Sequence, residues 1–322
     1  MGSWDLSISK ELSLVEDLIQ RSIHSRESLL TEIAGYVIGA GGKRVRPAVT
    51  ILSYYMVGGK DVDRAVRIAA ALELVHSATL LHDDINDGGI MRRGQPAAFK
   101  KYGLQSALVT GDFLFTKAFA IGAKFDPEIV DVTAEACVRL AEGEIRQRAK
   151  ARDLSMSEED YLVIVQRKTA GFFSAGTRVG AMLGGGSPEQ IAALSEYGRH
   201  LGIAFQIIDD ILDVVGDESV TGKPIGSDVR EGNVTLLLQH ALNNGNATAR
   251  TELEDIIREG PKSEEEVLRA IDIIAASGAV DEARARAAEH AVHAKQSLGV
   301  LGPEPQKLEL MRIADLVLHR DA

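Results

Sequence analysis

The chain has 322 residues, 45% hydrophobic and 26% charged, and 36 Lys and Arg against 47 Asp and Glu give a formal charge of −11. This is the balance of a globular protein with a sizeable core, and the excess of acid argues against a nucleic-acid binder held by a basic surface. A single cysteine, Cys137, excludes an intrachain disulfide framework and a cysteine-built zinc site, and no stretch reaches the ~18 unbroken apolar residues of a membrane span.

In chain order, nearly every segment has helical periodicity. The opening MGSWDLSISKEL lacks the basic-then-apolar order of a secretion signal, so a cytoplasmic enzyme without stable membrane insertion is expected. Leu12, Val15, Leu18 and Ile19 form one apolar stripe behind Ser9, which reads as an N-cap. A helix over about 29–38 runs into Gly39, Gly41 and Gly42, where left-handed backbone costs little. Further helices are expected near 47–57, 62–86, 104–123, 127–149, 158–184, 188–215, 232–242, 247–258, 264–276, 279–297 and 305–318. Alternation of β-branched and polar residues is scarce and aromatics are 5%, so no sheet is expected. The connections are short, apart from a polar stretch over 216–232, and no low-complexity linker divides the chain. Long helices with short connections predict one all-α antiparallel bundle, a single domain over 1–322.

Two of those helices end in the same pattern: Asp83-Asp84-Ile85-Asn86-Asp87 and Asp209-Asp210-Ile211-Leu212-Asp213. The outer aspartates of each are four apart, hence on one helix face. Three carboxylates in five residues repel one another and sit badly at the negative end of a helix dipole. A divalent cation relieves this, and hard oxygen ligands select Mg²⁺ or Mn²⁺ while leaving coordination positions for phosphate. One such cluster alone reads equally well as a solvated acidic helix end; two copies inside apolar helices favour metal.

Basic residues accompany them. Gly42-Lys43-Arg44-Val45-Arg46-Pro47 follows a glycine turn, and Arg92-Arg93-Gly94 lies five residues beyond the first cluster. Lys168-Thr169 and Thr221-Gly222-Lys223 add donors, and His76 precedes Asp83 by seven residues on the same face. Each is an ordinary surface group by itself; together they suit the remaining oxygens of a metal-bound diphosphate.

These elements, with Glu142-Gly143-Glu144…Gln147 and Phe205-Gln206, resemble in order and spacing the trans-type (E) polyprenyl diphosphate synthase family over about residues 40–236. The resemblance implies an isoprenoid-synthase bundle around a central apolar cavity, forming a homodimer, whose substrates are isopentenyl diphosphate and an allylic prenyl diphosphate. It implies that Asp83, Asp87 and Asp209 hold three Mg²⁺ ions, with Asp84, Asp210 and Asp213 in support. Arg92, Lys168 and Lys223 would bind the allylic diphosphate, and Gly42, Lys43, Arg46, His76 and Arg93 the isopentenyl diphosphate, with Arg44 nearby. Thr169 and Gln206 would turn oxygen dipoles toward the allylic cation, and the departing diphosphate would accept the proton lost after attack.

One position departs from the family: Asn233 in Gly232-Asn233-Val234-Thr235 stands where a lysine is common, and Arg230 is the available substitute cation. In the family the product tail runs past the positions four and five before the first aspartate, here Thr79 and Ala78. Neither is a bulky aromatic, which implies a product of C25 or longer, with C20 as the alternative. Phe113, Phe115 and Phe119 read as core or as lining of that path. A class I terpene cyclase would carry a different second metal motif and has no use for Lys43, Arg46 and Arg93. A non-catalytic partner subunit would commonly have lost an aspartate cluster, and a helical scaffold leaves the basic residues unexplained.

Overall fold

The computed structural model describes residues 7–216 and 225–319. The helices are α1 (Ser9–Ser22), α2 (Ser28–Gly39), α3 (Val45–Met56) and α4 (Val62–Asp87), followed by strands β1 (Met91–Arg92) and β2 (Gln95–Pro96). Then come α5 (Ala98–Tyr102), α6 (Leu104–Gly122), α7 (Pro127–Ala149), α8 (Glu158–Val165), a π-helical turn (Gln166–Ala170), α9 (Gly171–Leu183) and α10 (Pro188–Val215). The chain continues with α11 (Ser227–Glu231), α12 (Leu236–Asn244), α13 (Ala247–Glu259), α14 (Glu264–Ala276), α15 (Ala279–Ser297), a 3₁₀ turn (Leu298–Val300) and α16 (Pro305–Leu318). The all-α expectation holds, and no helix among the described residues is long and apolar enough to cross a membrane.

Local chemistry sets most boundaries. Asp61, Ser157, Thr235, Asn246 and Ser263 each cap a helix by accepting a backbone N–H, and Ser157 with Asp160 closes a capping box. Several details differ from expectation, among them the short helices α5 and α11, where none was expected. Ser9 is the first helical residue; the cap position is Ile8, with no side-chain bond. The helix expected over 158–184 is interrupted by the π turn, and the one expected from 232 starts at Leu236, because Gly232 at φ +79° ends α11. A two-residue antiparallel ribbon also exists, pairing Met91 with Pro96 and Arg92 with Gln95. Its turn residues, Arg93 and Gly94, both have positive φ, as a type I′ hairpin turn demands.

Packing groups the chain into two compact units. The first takes in the chain up to Ala134, then Phe173–Gly198 and Ser297–Ile313. In it α4 is buried around most of its circumference, through Ala65, Ile68, Ala69, Leu72, Leu74, Ala78 and Leu81, with α1, α3 and α6 packed on it. The second takes Glu135–Phe172, Arg199–Gln296 and the residues from Ala314 on. There the inward faces of α10 and α12–α15 supply Ile203, Ile207, Ile211, Leu237, Leu253, Ile257, Ala270, Ile274, Ala287 and Ala291, all buried. Each unit carries one aspartate cluster.

Candidate active site

In the first unit the cluster occupies the last turn of α4, which has no basic residue in that turn and closes on Gly88 at φ +67°. Its members are treated unequally. Asp84 is buried, whereas Asp83 is half-buried and Asp87 exposed. Asp84 accepts from Arg92 Nε at 2.6 Å and Nη2 at 2.5 Å. Burial pushes the Asp84 carboxyl up, and Arg92 pulls it back. The ribbon therefore returns the Arg92 guanidinium to the helix end it has just left.

The basic residues of this unit converge. A Cβ on Gly42, whose φ is +155°, would stand 3.2 Å from guanidinium nitrogens of both Arg44 and Arg93. Arg44, itself at φ +48°, donates to Glu73 at 2.8 Å, to Glu16 at 3.0 and 3.3 Å and to the Ile38 carbonyl at 3.1 Å. It is a strut under the glycine loop. Burial holds Arg93 below the usual guanidinium value; Glu73 opposes this, and the Arg44 and Arg92 cations add to it. Arg46 Nη1 lies 3.2 Å from His76 Nε2, and its guanidinium stacks over Phe173 at 4.6 Å. Burial and the four surrounding arginines push His76 well below its ordinary value, so it is neutral and accepts from Arg46. Lys43 is exposed.

Ala78 is fully buried, and Thr79 donates its hydroxyl to the His76 carbonyl at 2.8 Å. Phe113 and Phe115 are half-buried, but Phe119 is 57% exposed, so it is neither core nor lining. Helix α6 turns it outward with Leu104, Leu108 and Val109.

In the second unit Asp209 is half-buried, while Asp210 and Asp213 are buried. Asp210 accepts from Tyr161 Oη at 2.6 Å and from Gln206 Nε2 at 2.8 Å, and Thr169 Oγ1 donates to Gln206 Oε1 at 2.7 Å. Burial, and then Asp228, push Asp210 well above the carboxylate range, and burial with Asp210 raises Tyr161 likewise. Asp213 accepts from the Asp228 N–H at 2.9 Å, and its carbonyl from the Gly226 N–H at 2.8 Å, pinning the start of α11. Asn233 donates to Asp228 at 3.0 Å and Glu231 at 2.8 Å. Arg230 is not poised as a replacement cation: its guanidinium is held by Glu264 and by the Ile225 carbonyl. Lys223 lies outside the described residues.

Lys168 sits on the π turn, 2.7 Å from Glu144 and 3.1 Å from Gln147. Burial acts against it, yet Lys168 and Arg148 hold Glu144 below the usual carboxylate range. The glycine between Glu142 and Glu144 has a steric cause: a Cβ on Gly143 would stand 2.7 Å from the Lys168 backbone nitrogen. Gly143→Ala is expected to destabilise by about 1–3 kcal/mol, the cost of overpacking against backbone. Urea unfolding reads the loss.

Sequence reasoning missed Glu73 and Tyr161. Glu73 did carry a signal, a lone acid inside the apolar run 69–75; Tyr161 carried none.

Asp83 and Asp87 in the first unit, and Asp209 in the second, are carboxylates of the kind that a hard divalent ion takes as ligands. They are the members of each cluster that solvent reaches, and neither α4 nor α10 has a basic residue in its last turn. An all-α scaffold with two aspartate-ended helices, each unit also bringing arginine or lysine for phosphate, defines an isoprenoid synthase. Comparison with known proteins narrows this. Residues 27–274 match the family described as polyprenyl synthetase. The chain is 41% identical to a short chain isoprenyl diphosphate synthase of Methanothermobacter thermautotrophicus, over 98% of each chain. It is 35% identical to the octaprenyl diphosphate synthase of Escherichia coli, over 97% of each. A crystal structure of polyprenyl synthase from Caulobacter crescentus, complexed with calcium and isoprenyl diphosphate, superposes with a TM-score of 0.96 at 35% identity, covering 99% of this chain and 97% of that one. The chain belongs to the polyprenyl synthetase family. Its activity is that of a trans-prenyl diphosphate synthase, a prenyltransferase.

Proposed function

We propose that this synthase extends an allylic prenyl diphosphate with isopentenyl diphosphate to an all-trans product of C25 or longer. The observation that carries the length is Ala78, fully buried one turn before Asp83 with no side chain beyond Cβ, next to the modest Thr79. A C20 product is the second reading, favoured by the short-chain relative at 41% identity.

In this reading Asp83, Asp87 and Asp209 hold Mg²⁺, three ions as the family resemblance implies, with Mn²⁺ a possible substitute. When bound, such ions would supply positive charge to the diphosphate leaving group. Calcium in the Caulobacter crescentus relative and the hard donor set here support this. Arg92, Lys168 and Lys223 bind the allylic diphosphate, and their positive charge answers the charge that grows on it as the C–O bond breaks. Gly42, Lys43, Arg46, His76 and Arg93 take isopentenyl diphosphate. The crowding of half-buried Arg93 with the Arg44 and Arg92 cations supports an anion site, since an anion relieves their mutual repulsion. Asp210 anchors the amide N–H of Gln206, which turns the Gln206 oxygen to Thr169 and leaves lone pairs of Thr169 for the allylic cation. Asp84, Asp210 and Asp213 support the metal ligands, Asp84 also positioning Arg92 and Asp213 the start of α11. The diphosphate released from the allylic substrate accepts the proton lost after attack, so no side-chain base is required.

The family match runs as one stretch over 27–274, taking in parts of both units, which supports one catalytic domain. A homodimer is supported by the outward apolar residues of α6, Leu104, Leu108, Val109 and Phe119, each more than two-fifths exposed.

Incubation with Mg²⁺, farnesyl diphosphate and radiolabelled isopentenyl diphosphate is expected to give products of C25 and above; accumulation no longer than C20 overturns the length. Ala78→Phe is expected to shorten the product while turnover continues. An unchanged distribution removes Ala78 from the tail's path.

A further inference from the structure

We propose that His200, His290 and His293 form a binding site for a zinc-class transition-metal ion, distinct from the carboxylate ligands of prenyl transfer. All three belong to the second unit. His200 is on α10, nine residues before Asp209, which is about 14 Å along a helix axis. His290 and His293 stand three apart on α15, hence on one helix surface.

The rings are gathered closely. His200 Nδ1 lies 2.9 Å from His290 Nδ1, and one ligand nitrogen from each ring falls within 4.8 Å of the others. Ring centroids are 5.2, 5.1 and 6.3 Å apart. The inner face of α15 is alanine throughout (Ala283, Ala287, Ala291, Ala294), so bulky side chains on that stripe do not hold neighbours away. Tetrahedral zinc with nitrogen at about 2.0–2.1 Å needs its ligand atoms roughly 3.4 Å apart, a change that small ring rotations supply. Imidazole nitrogen selects zinc, cobalt, nickel or copper over magnesium and calcium, so this set does not duplicate the aspartates. Three protein ligands with His293 exposed leave a fourth position for water.

Proton accounting is consistent. Arg199 Nη2 donates to His200 Nε2 at 2.8 Å, so the neutral His200 ring carries its proton on Nδ1 and gives it to His290. Coordination through His200 Nδ1 moves that proton to Nε2 and turns Arg199 away, with no net proton released from this ring. Burial, His293 and Arg199 bring His290 down to about 4, so it is a neutral ligand at pH 7. Arg199 is thus a competitor for the site.

The test uses the untagged full-length enzyme, stripped with chelator and held in excess Mg²⁺ so that the carboxylates are occupied. Zn²⁺ calorimetry is expected to give one ion per chain, and Co²⁺ the visible absorption of tetrahedral nitrogen ligation. His293→Ala is expected to weaken zinc binding at least tenfold while Mg²⁺-dependent prenyl transfer is unchanged, and Arg199→Gln to tighten it several-fold. Absence of saturable binding overturns the proposal, as does affinity unaltered in both His293→Ala and His290→Gln. Loss of the zinc signal in Asp83→Asn instead would also overturn it, by placing the ion on the aspartates.

Discussion

Asp83→Asn is expected to lower kcat/KM by about a thousandfold, which is about 4 kcal/mol of transition-state stabilisation. Asparagine keeps the shape of the side chain but removes the charge that a hard cation needs. Asp83 is half-buried, while Asp84 is the buried member of its cluster and takes two bonds from Arg92. Folding stability should therefore change by no more than about 1 kcal/mol, a normal cost at a partly exposed site. Steady-state kinetics across a Mg²⁺ series, with urea unfolding alongside, check both halves. Activity within tenfold of the parent, with the same Mg²⁺ dependence, would remove Asp83 from the metal set.

Arg44→Met is expected to cost about 3–5 kcal/mol of stability. Its partner Glu73 has a side chain only 5% exposed, so the substitution leaves a buried carboxylate without its ion pair. Glu16, 39% exposed, loses far less, because water replaces the arginine. The double variant Arg44→Met/Glu73→Leu should regain most of the loss, since replacing both partners with apolar groups is often neutral. Because Gly42 lies against both Arg44 and Arg93, the single variant should also raise KM for isopentenyl diphosphate. Denaturant midpoints of the two variants decide it: a single variant within 1 kcal/mol of the parent would show that Arg44 is no strut.

The helices, the spacing of both aspartate clusters and the order of the basic motifs were legible in the sequence because each is a local matter. Apolar residues recurring every 3.6 positions make the long helices readable, though not the five-residue α5 and α11, and two carboxylates four apart share a face wherever their helix lies. Deviations arose where backbone detail outweighs periodicity: the π turn carrying Lys168, and the Arg93-Gly94 turn folding a ribbon between helices.

Which aspartate of a cluster is taken up by protein, and which is left within reach of solvent, was decided only by the tertiary structure. Tyr161 is 49 positions from Asp210, Glu73 is 29 from Arg44, and His290 is 90 from His200. A carboxylate's role depends on burial and on the donor brought beside it, both consequences of long-range packing that no window of neighbouring residues encodes. The sequence by itself determined the chemistry available, carboxylates for metal and cations for diphosphate. Packing then decided which of those residues are buried among protein donors and which stay within reach of solvent.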